Sequence, residues 1–269
     1  MHSTYSDGAA APLGLVEIAM QAGVDVMAIT DHDTFEGTDT LRDMQLPLRL
    51  IPGVELSLRD MPHLHLLGYG LGEAPALREA TATLKENREH RADRIIDRLE
   101  EHGMPIDRER LHSRVQGTIG RPHIAQAMME RGYVASIHEA FARFIGDDCP
   151  CYVPGERFSM AEALQLMRDG GFVPVLAHPL SLEVEESKLY TLVRHWQDQG
   201  LMGMEVYHPS AMGGEYAALE RMARRRGLLV TGGSDFHRVN DSHADVGSTA
   251  ILWRHAEEDV DALNRALGV

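Results

Sequence analysis

Fifteen histidines occur in 269 residues, more than the seven tyrosines and six phenylalanines together. Several stand beside carboxylates. His32 lies inside Thr30-Asp31-His32-Asp33, Glu55 closes Pro52-Gly53-Val54-Glu55, His63 and His65 flank Leu64, and His178 and His208 each precede a proline. Asp235 and His237 sit at i and i+2 of an extended stretch, so their side chains point the same way and can grip one ion or two adjacent ions. A lone His-Pro such as His178-Pro179 is more often a turn than a ligand. Repetition changes that reading, because imidazoles and carboxylates gathered at several strand ends are costly to bury unless they share a cation. Imidazole with carboxylate and without thiolate suits Mn²⁺, Fe²⁺ or Zn²⁺ better than Mg²⁺ or Ca²⁺, which prefer all-oxygen shells.

Each of these segments adjoins an apolar run. Val24 to Thr30 precedes His32, a strand over Leu48 to Leu58 interrupted at Pro52-Gly53 carries Glu55, and His63 to Tyr69 forms the next. Val173 to Ala177, Met202 to Tyr207, Leu228 to Thr231 and Val246 to Leu252 read as further strands. Helical patterns cover Leu13 to Gln21, Met160 to Arg168, Leu189 to Gln199 and Tyr216 to Arg226. This alternation predicts an α/β fold with a parallel sheet, open or closed into a barrel. In a barrel, side chains at the carboxyl ends of different strands converge on one mouth. Glu73 to Gly146 shows only helical patterns and predicts a helical insert that packs as a cap.

Composition bounds what such a site can serve. Hydrophobic residues at 43% and charged residues at 25% describe a folded protein and exclude disordered or collagen-like chains. The net charge of −15 repels polyanions, which argues against extensive binding of duplex DNA and for a small anionic substrate drawn to a local basic pocket. No run approaches the roughly 18 apolar residues of a membrane span. The two cysteines, Cys149 and Cys151, flank one proline and can build neither a disulfide framework nor a four-cysteine zinc site, so a reducing cytoplasm is expected.

Taken in order, Ser3-Thr4-Tyr5-Ser6-Asp7-Gly8, Thr30-Asp31-His32-Asp33, Gly53-Val54-Glu55, His65-Leu66-Leu67-Gly68-Tyr69, Gly120-Arg121-Pro122-His123, Ala177-His178-Pro179 and Gly233-Ser234-Asp235-Phe236-His237 resemble the motifs of the polymerase-and-histidinol-phosphatase (PHP) family. The branch they resemble most dephosphorylates nucleoside 3′,5′-bisphosphates and trims short RNA from the 5′ end. The resemblance implies a distorted seven-stranded PHP barrel formed by residues 1–72 and 156–269, with a helical insert over 73–155. It also implies a cluster of two or three divalent ions, manganese first, with iron or zinc as alternatives. Glu55 would bridge two ions, with His65 and His178 on one and Asp235 and His2 on its neighbour, while Asp7, His32 and His237 would hold the third. Arg121 and His123 would bind the substrate phosphate. Their context agrees, since Pro122 suits the first turn of a helix whose free N–H groups and the Arg121 fork face an anion.

The implied activity is hydrolysis of a phosphate ester, with a nucleotide or short oligonucleotide as substrate. Asp235 belongs to the catalytic centre, and His178 or His208 is the candidate acid for the leaving group. A histidinol-phosphate-type monoesterase and a non-catalytic binding module with a degenerate metal site are the alternatives. The family pattern opens with a strand ending in Asp-Leu-His-x-His-Ser, whereas this sequence starts Met1-His2-Ser3. The expectation is therefore a natural start further upstream, with the first strand missing here and His2 poorly held on a frayed terminus.

Weaker signals complete the reading. Arg88, Arg91, Arg94 and Arg98 share one helix face, and interleaved acids such as Glu89, Asp93 and Asp97 predict an ion-paired solvated surface. Cys149-Pro150-Cys151 reads as a turn. His90, His102, His112, His138, His195, His243 and His255 have no motif around them and are expected at the surface or in packing.

Overall fold

Six strands form one mixed sheet in the computed structural model, which describes residues 1–115, 119–211, 213–239 and 245–269, and the backbone alone of residues 89 and 251. The elements run α1 Pro12–Gln21, β1 Val26–Ile29, α2 Glu36–Asp39, β2 Arg49–Ser57, β3 His65–Tyr69, α3 Pro75–Glu101, α4 Arg108–Arg114, α5 Arg121–Glu130 and α6 Ile137–Ala140, the last continued by a π-helical turn at Phe141–Ile145. They continue with α7 Met160–Asp169, β4 Val173–Leu176, α8 Glu186–Asp198, β5 Gly203–Tyr207, α9 Tyr216–Arg226, β6 Leu229–Gly232 and α10 Ala256–Leu267. The chain divides into two units, residues 1–81 with 157–269, and residues 82–156.

In the first unit the strands lie in sequence order from β1 to β6. The sheet is not all parallel as expected, because β3 runs antiparallel to both β2 and β4. The link from β2 to β3 is too short for a crossover helix, and a short link permits only an antiparallel return. Nor is β2 interrupted at Pro52-Gly53. Its first half pairs with β1 in parallel and its second half, from Gly53, pairs with β3, so Pro52, which has no N–H to give, sits where the strand changes partner. Val246 to Leu252 is not a strand. Gly247 takes φ +84° and Ser248–Ile251 winds into a 3-10 turn, a conformation that an apolar run of that length does not exclude.

Successive residues of the central strands enter different cores. Leu56, Leu66, Leu176, Met204 and Val230 pack with the buried faces of α7, α8 and α9. Leu67, Tyr69, Val173 and Val175 face the other way, into a cluster that includes Leu263 of α10. The sheet is thus buried on both sides, in keeping with the fully buried β4 and β5, of which only Glu205 carries a charge. Ser159 and Glu162 form a capping box that starts α7, and Gly227 at φ +66° stops α9.

The described residues of the second unit contribute helices and no strand, around a core of Ile95, Ile96, Leu99, Ile124, Met128 and Ile145. The arginine row on α3 is not simply ion-paired with its own helix. Arg91 Nε donates to the Val153 carbonyl at 2.6 Å, Arg98 bonds the Tyr152 carbonyl, and Asp97 pairs with Arg108. The Glu89 side chain and His243 lie outside the described residues.

Candidate metal centre

The site assembles at the carboxyl ends of β1, β2, β4, β5 and β6, and the antiparallel β3 adds its first residue. Because β3 runs backwards, His65 pairs in register with Ser57 at the end of β2, and so reaches the same place as the residues that follow the parallel strands. Glu55 is at the centre, 2% exposed. One carboxylate oxygen lies 2.7 Å from His65 Nδ1 and 3.0 Å from His178 Nε2, and the other lies 3.1 Å from His2 Nε2. His2 Nε2 is also 3.0 Å from Asp235 Oδ1, and its Nδ1 is 3.6 Å from Asp7. Asp7 completes the far side, 3.2 Å from His237 Nε2 and 3.8 Å from His32 Nε2. Three overlapping groups could each hold an ion: His2, Asp7, His32 and His237; His32, Glu55 and His65; and His2, Glu55 and Asp235.

His2 is not frayed. It is wholly buried, its N–H donates to the Phe236 carbonyl, and the carbonyl of Met1 accepts from Thr30 N–H. Residues 1 and 2 are therefore hydrogen-bonded to the segments leaving both edge strands, β1 and β6. The loop that follows is anchored by Asp31, whose buried carboxylate accepts from Ser3 N–H, Ser3 Oγ and Ser6 Oγ, each at 2.6 Å. Ser3 adjoins His2 and Ser6 adjoins Asp7, so one carboxylate sets the positions of two candidate ligands. Gly8 closes this loop so tightly that a Cβ there would stand 1.9 Å from the His2 carbonyl oxygen. On the other side, Glu205 accepts the backbone N–H of His178 at 2.9 Å. Asp33, His178 and Asp235 all take positive φ, of 54°, 24° and 48°, and backbone held in that region by its surroundings is common at functional sites.

Charge is distributed to suit a cation. Despite burial, His32, His178, His2 and His65 hold Glu55 well below the usual carboxylate range, and Asp7 and Asp235 are lowered by their histidine neighbours in the same way. Burial works against a charge on His2 and His178, but Asp235 and Glu55 push His2 up to about 10, and Glu55 leads in pushing His178 up to about 9. Burial drives His32 down to about 3. Both ring nitrogens of His2, Nδ1 of His32 and His178, and one oxygen of Asp7 are buried without a hydrogen-bond partner among the described residues. His2 Nε2 thus lies about 3 Å from two carboxylate oxygens, close enough for a bond but without the geometry for one. Lone pairs that converge on common points instead of on one another's protons are what a metal requires, and the donor set fits one.

A cavity of about 390 Å³ opens onto this cluster, lined by Glu55, His65, His178 and Asp235 together with His208 and Ser210. The chain is 33% identical over 244 residues to the 5′-3′ exoribonuclease Rnm of Salmonella typhimurium, an alignment covering 88% of this chain and 83% of that one. The chain belongs to the PHP family of metal-dependent phosphoesterases. The 3′,5′-nucleoside bisphosphate phosphatase of Chromobacterium violaceum is 28% identical, with 95% of this chain and 94% of that one aligned. A solved structure from Bifidobacterium adolescentis, described as a metal-dependent phosphoesterase, superposes with a TM-score of 0.80 at 28% identity, covering 98% of this chain and 94% of the other. No family model matches the chain.

This PHP hydrolase gathers His2, Asp7, His32, Glu55, His65, His178, Asp235 and His237 into one cluster, with His208 at its edge. Arg121 and His123 belong to the other unit. There Arg121 donates to Asp147 at 2.9 Å and lies over the rings of Phe141 and Tyr152, and His123 Nδ1 accepts the Gly120 N–H at the start of α5. Sequence reasoning missed the residues that position the site's side chains: Asp31 with Ser3 and Ser6, Glu205, and, beside His208, Ser210. For Asp31 a signal was present. It sits beside His32 in an extended segment, so its side chain points to the opposite side and can grip the loop behind the site.

Proposed function

We propose that this phosphoesterase uses manganese to hydrolyse nucleoside 3′,5′-bisphosphates and to trim the 5′ ends of short oligoribonucleotides. The observation that carries the reading is the run of three overlapping His/Asp/Glu groups beneath a cavity large enough for a nucleotide's phosphate and sugar. Glu55, His65 and His178 would hold one ion, Glu55, Asp235 and His2 a second, and Asp7, His32 and His237 a third. Iron or zinc would suit the same donors. Bound ions supply a water of lowered pKa and neutralise charge on the leaving oxygen. The chain's own residues do the rest. Glu205 and Asp31 fix the ligand backbones, Arg121 and His123 bind phosphate oxygens, and His178 or His208 faces the leaving group. The relatives named for activity on RNA and on nucleoside bisphosphates support this substrate class, and the net charge of −15 favours short substrates over duplex DNA. The same reading takes the six-stranded sheet as part of a seven-stranded PHP barrel with residues 73–155 as its helical insert. It places the protein in the cytoplasm, where its two free thiols stay reduced. Among the described residues no helix is long and apolar enough to cross a membrane.

The test is turnover by protein stripped of metal and reloaded with Mn²⁺, measured on a nucleoside 3′,5′-bisphosphate, a 5′-phosphorylated tetraribonucleotide and histidinol phosphate. Faster release of phosphate or nucleotide from the first two is expected. Preference for histidinol phosphate would make it a monoesterase of the other type, and inactivity on all three with full metal would make it a binding module.

A further inference from the structure

The histidine that follows β5 is oriented from behind. Pro209 has no N–H, so the first backbone donor after His208 is Ser210 N–H, and it donates to His208 Nδ1 at 3.1 Å. Ser210 Oγ lies 2.8 Å from the same nitrogen. A backbone N–H can only donate. Nδ1 must therefore present its lone pair, and the ring hydrogen is on Nε2. The short 3-10 turn Pro209–Ala211, closed by Ala211 N–H on the His208 carbonyl at 2.8 Å, keeps this arrangement rigid.

Nε2 faces the cluster but does not join it. His208 is 6% exposed and lines the 390 Å³ cavity, yet its Nε2 has no hydrogen-bond partner among the described residues. The nearest carboxylate oxygen to it, Asp235 Oδ2, is 3.7 Å away. His2, His65, His178 and His237 each bring a ring nitrogen within 2.7 to 3.2 Å of a carboxylate, and His32, 3.8 Å from Asp7, belongs to two of the candidate metal groups, whereas His208 belongs to none of them. A buried N–H that lines this cavity, with its hydrogen fixed by the backbone behind it, is placed to donate to an oxygen of whatever occupies the cavity.

We propose that His208 is not a metal ligand but a fixed hydrogen-bond donor to a phosphoryl oxygen, and that Ser210 is the residue that positions it. To bind a metal, Nε2 would have to lose its hydrogen and Nδ1 would have to gain one, which sets two donors, Nδ1–H and Ser210 N–H, against each other. A donor held before substrate arrives needs no reorganisation as charge builds on the phosphoryl oxygens. The assignment rests on the phosphoesterase reading and separates His208 from His178, whose Nε2 lies among the candidate ligands.

The experiment compares wild-type protein with His208→Ala, His208→Gln and Ser210→Ala. Metal per chain is measured after loading with Zn²⁺, inorganic phosphate affinity by calorimetry, and imidazole tautomers by ¹⁵N NMR on the zinc form. We expect unchanged metal content in all variants and phosphate binding weakened roughly 10-fold to 100-fold in His208→Ala, the range for a hydrogen bond to a charged group. Part of that affinity returns in His208→Gln, whose amide can offer an N–H in the same direction. In wild type, and equally in Ser210→Ala, which keeps the backbone N–H that sets the tautomer, the His208 signals should report hydrogen on Nε2, and hydrogen on Nδ1 in either would overturn the proposal. Loss of one metal ion per chain in His208→Ala would make it a ligand and overturn the proposal, as would unchanged phosphate affinity. Wild-type protein that binds neither zinc nor phosphate would instead overturn the phosphoesterase reading, and the proposal with it.

Discussion

Replacing Glu55 with glutamine keeps the volume of the side chain and removes the one charge that touches three histidines. In metal-free protein, His178 has its pKa raised from 6.5 to about 9, with Glu55 the leading cause against the opposing effect of burial. A shift of that size contributes roughly 2 to 3 kcal/mol of stability at pH 7. Deleting the carboxylate also removes its own desolvation cost, so the net loss should be about 2 kcal/mol, or about 4 to 8 °C in Tm for a chain of this length. The pH dependence is more diagnostic. A raised folded-state pKa gives stability that is complete below 6.5 and is lost as pH climbs through the folded value, so metal-free wild type should weaken between pH 6.5 and 10 as His2 and His178 lose their protons. His32, lowered to about 3, acts with the opposite sign at the acid end: unfolded it takes up a proton as pH falls through 6.5, so it costs under about 1 kcal/mol at pH 6 and adds nothing above about pH 7.5. Calorimetric melting of the two proteins from pH 6 to 9.5 should show a falling limb in wild type that is reduced in Glu55→Gln by the His178 share, while Asp235 keeps part of the His2 share. The variant should also lose at least about 100-fold in metal affinity, more than outer-shell changes cost. A variant that keeps the falling limb and binds metal normally would refute the placement of Glu55 at the electrostatic centre.

Other perturbations probe the supports. Asp31→Asn, which leaves Ser3 and Ser6 contending for one acceptor, should destabilise the chain by about 1 to 3 kcal/mol and reduce metal content, read by denaturant melts and elemental analysis. If Arg121 clamps the substrate phosphate, Arg121→Lys should lower kcat/KM at least about 10-fold with metal content unchanged, because lysine keeps the charge but not the fork. Exhaustive chelation should abolish phosphate release and Mn²⁺ should restore it. Because metal must displace the protons held by His2 and His178, apparent affinity should rise with pH from 6.5 to 9, measurable by competition with a chelator of known pH dependence.

Several candidate ligands stood out in the sequence because their spacing is local, whereas His2 and Asp7 came only with the family resemblance. Asp235 and His237 at i, i+2 and single histidines after apolar strands can be read without knowing which strands are neighbours. Direction could not be read so easily. The run His65 to Tyr69 is equally apolar in either orientation, and only the brevity of the link before it makes β3 antiparallel. Val246 to Leu252 failed as a strand because seven residues do not separate strand from turn by periodicity, and Gly247 was the better guide. The supports were hidden for another reason: Glu205 acts on a backbone N–H contributed by a different strand end, and Ser3 on a carboxylate at the end of β1. Contacts of that kind exist only once the sheet has formed.

The hydrogen bonds that tie residues 1 and 2 to both edge strands have a consequence for the timing of assembly. The ribosome makes His2 and Asp7 long before Asp235 and His237, yet His2 meets Asp235 and Asp7 meets His237 in the cluster. Pairings between segments more than 200 residues apart form late, after shorter loops have closed. A nascent or truncated polypeptide can therefore bury much of its hydrophobic surface while the ligand set is still in two halves. Until the segment after β6 docks, such a polypeptide holds its early ligands without their partners. Capture of the ions then marks the end of folding rather than its beginning, and hydrolytic capacity is withheld from every unfinished copy.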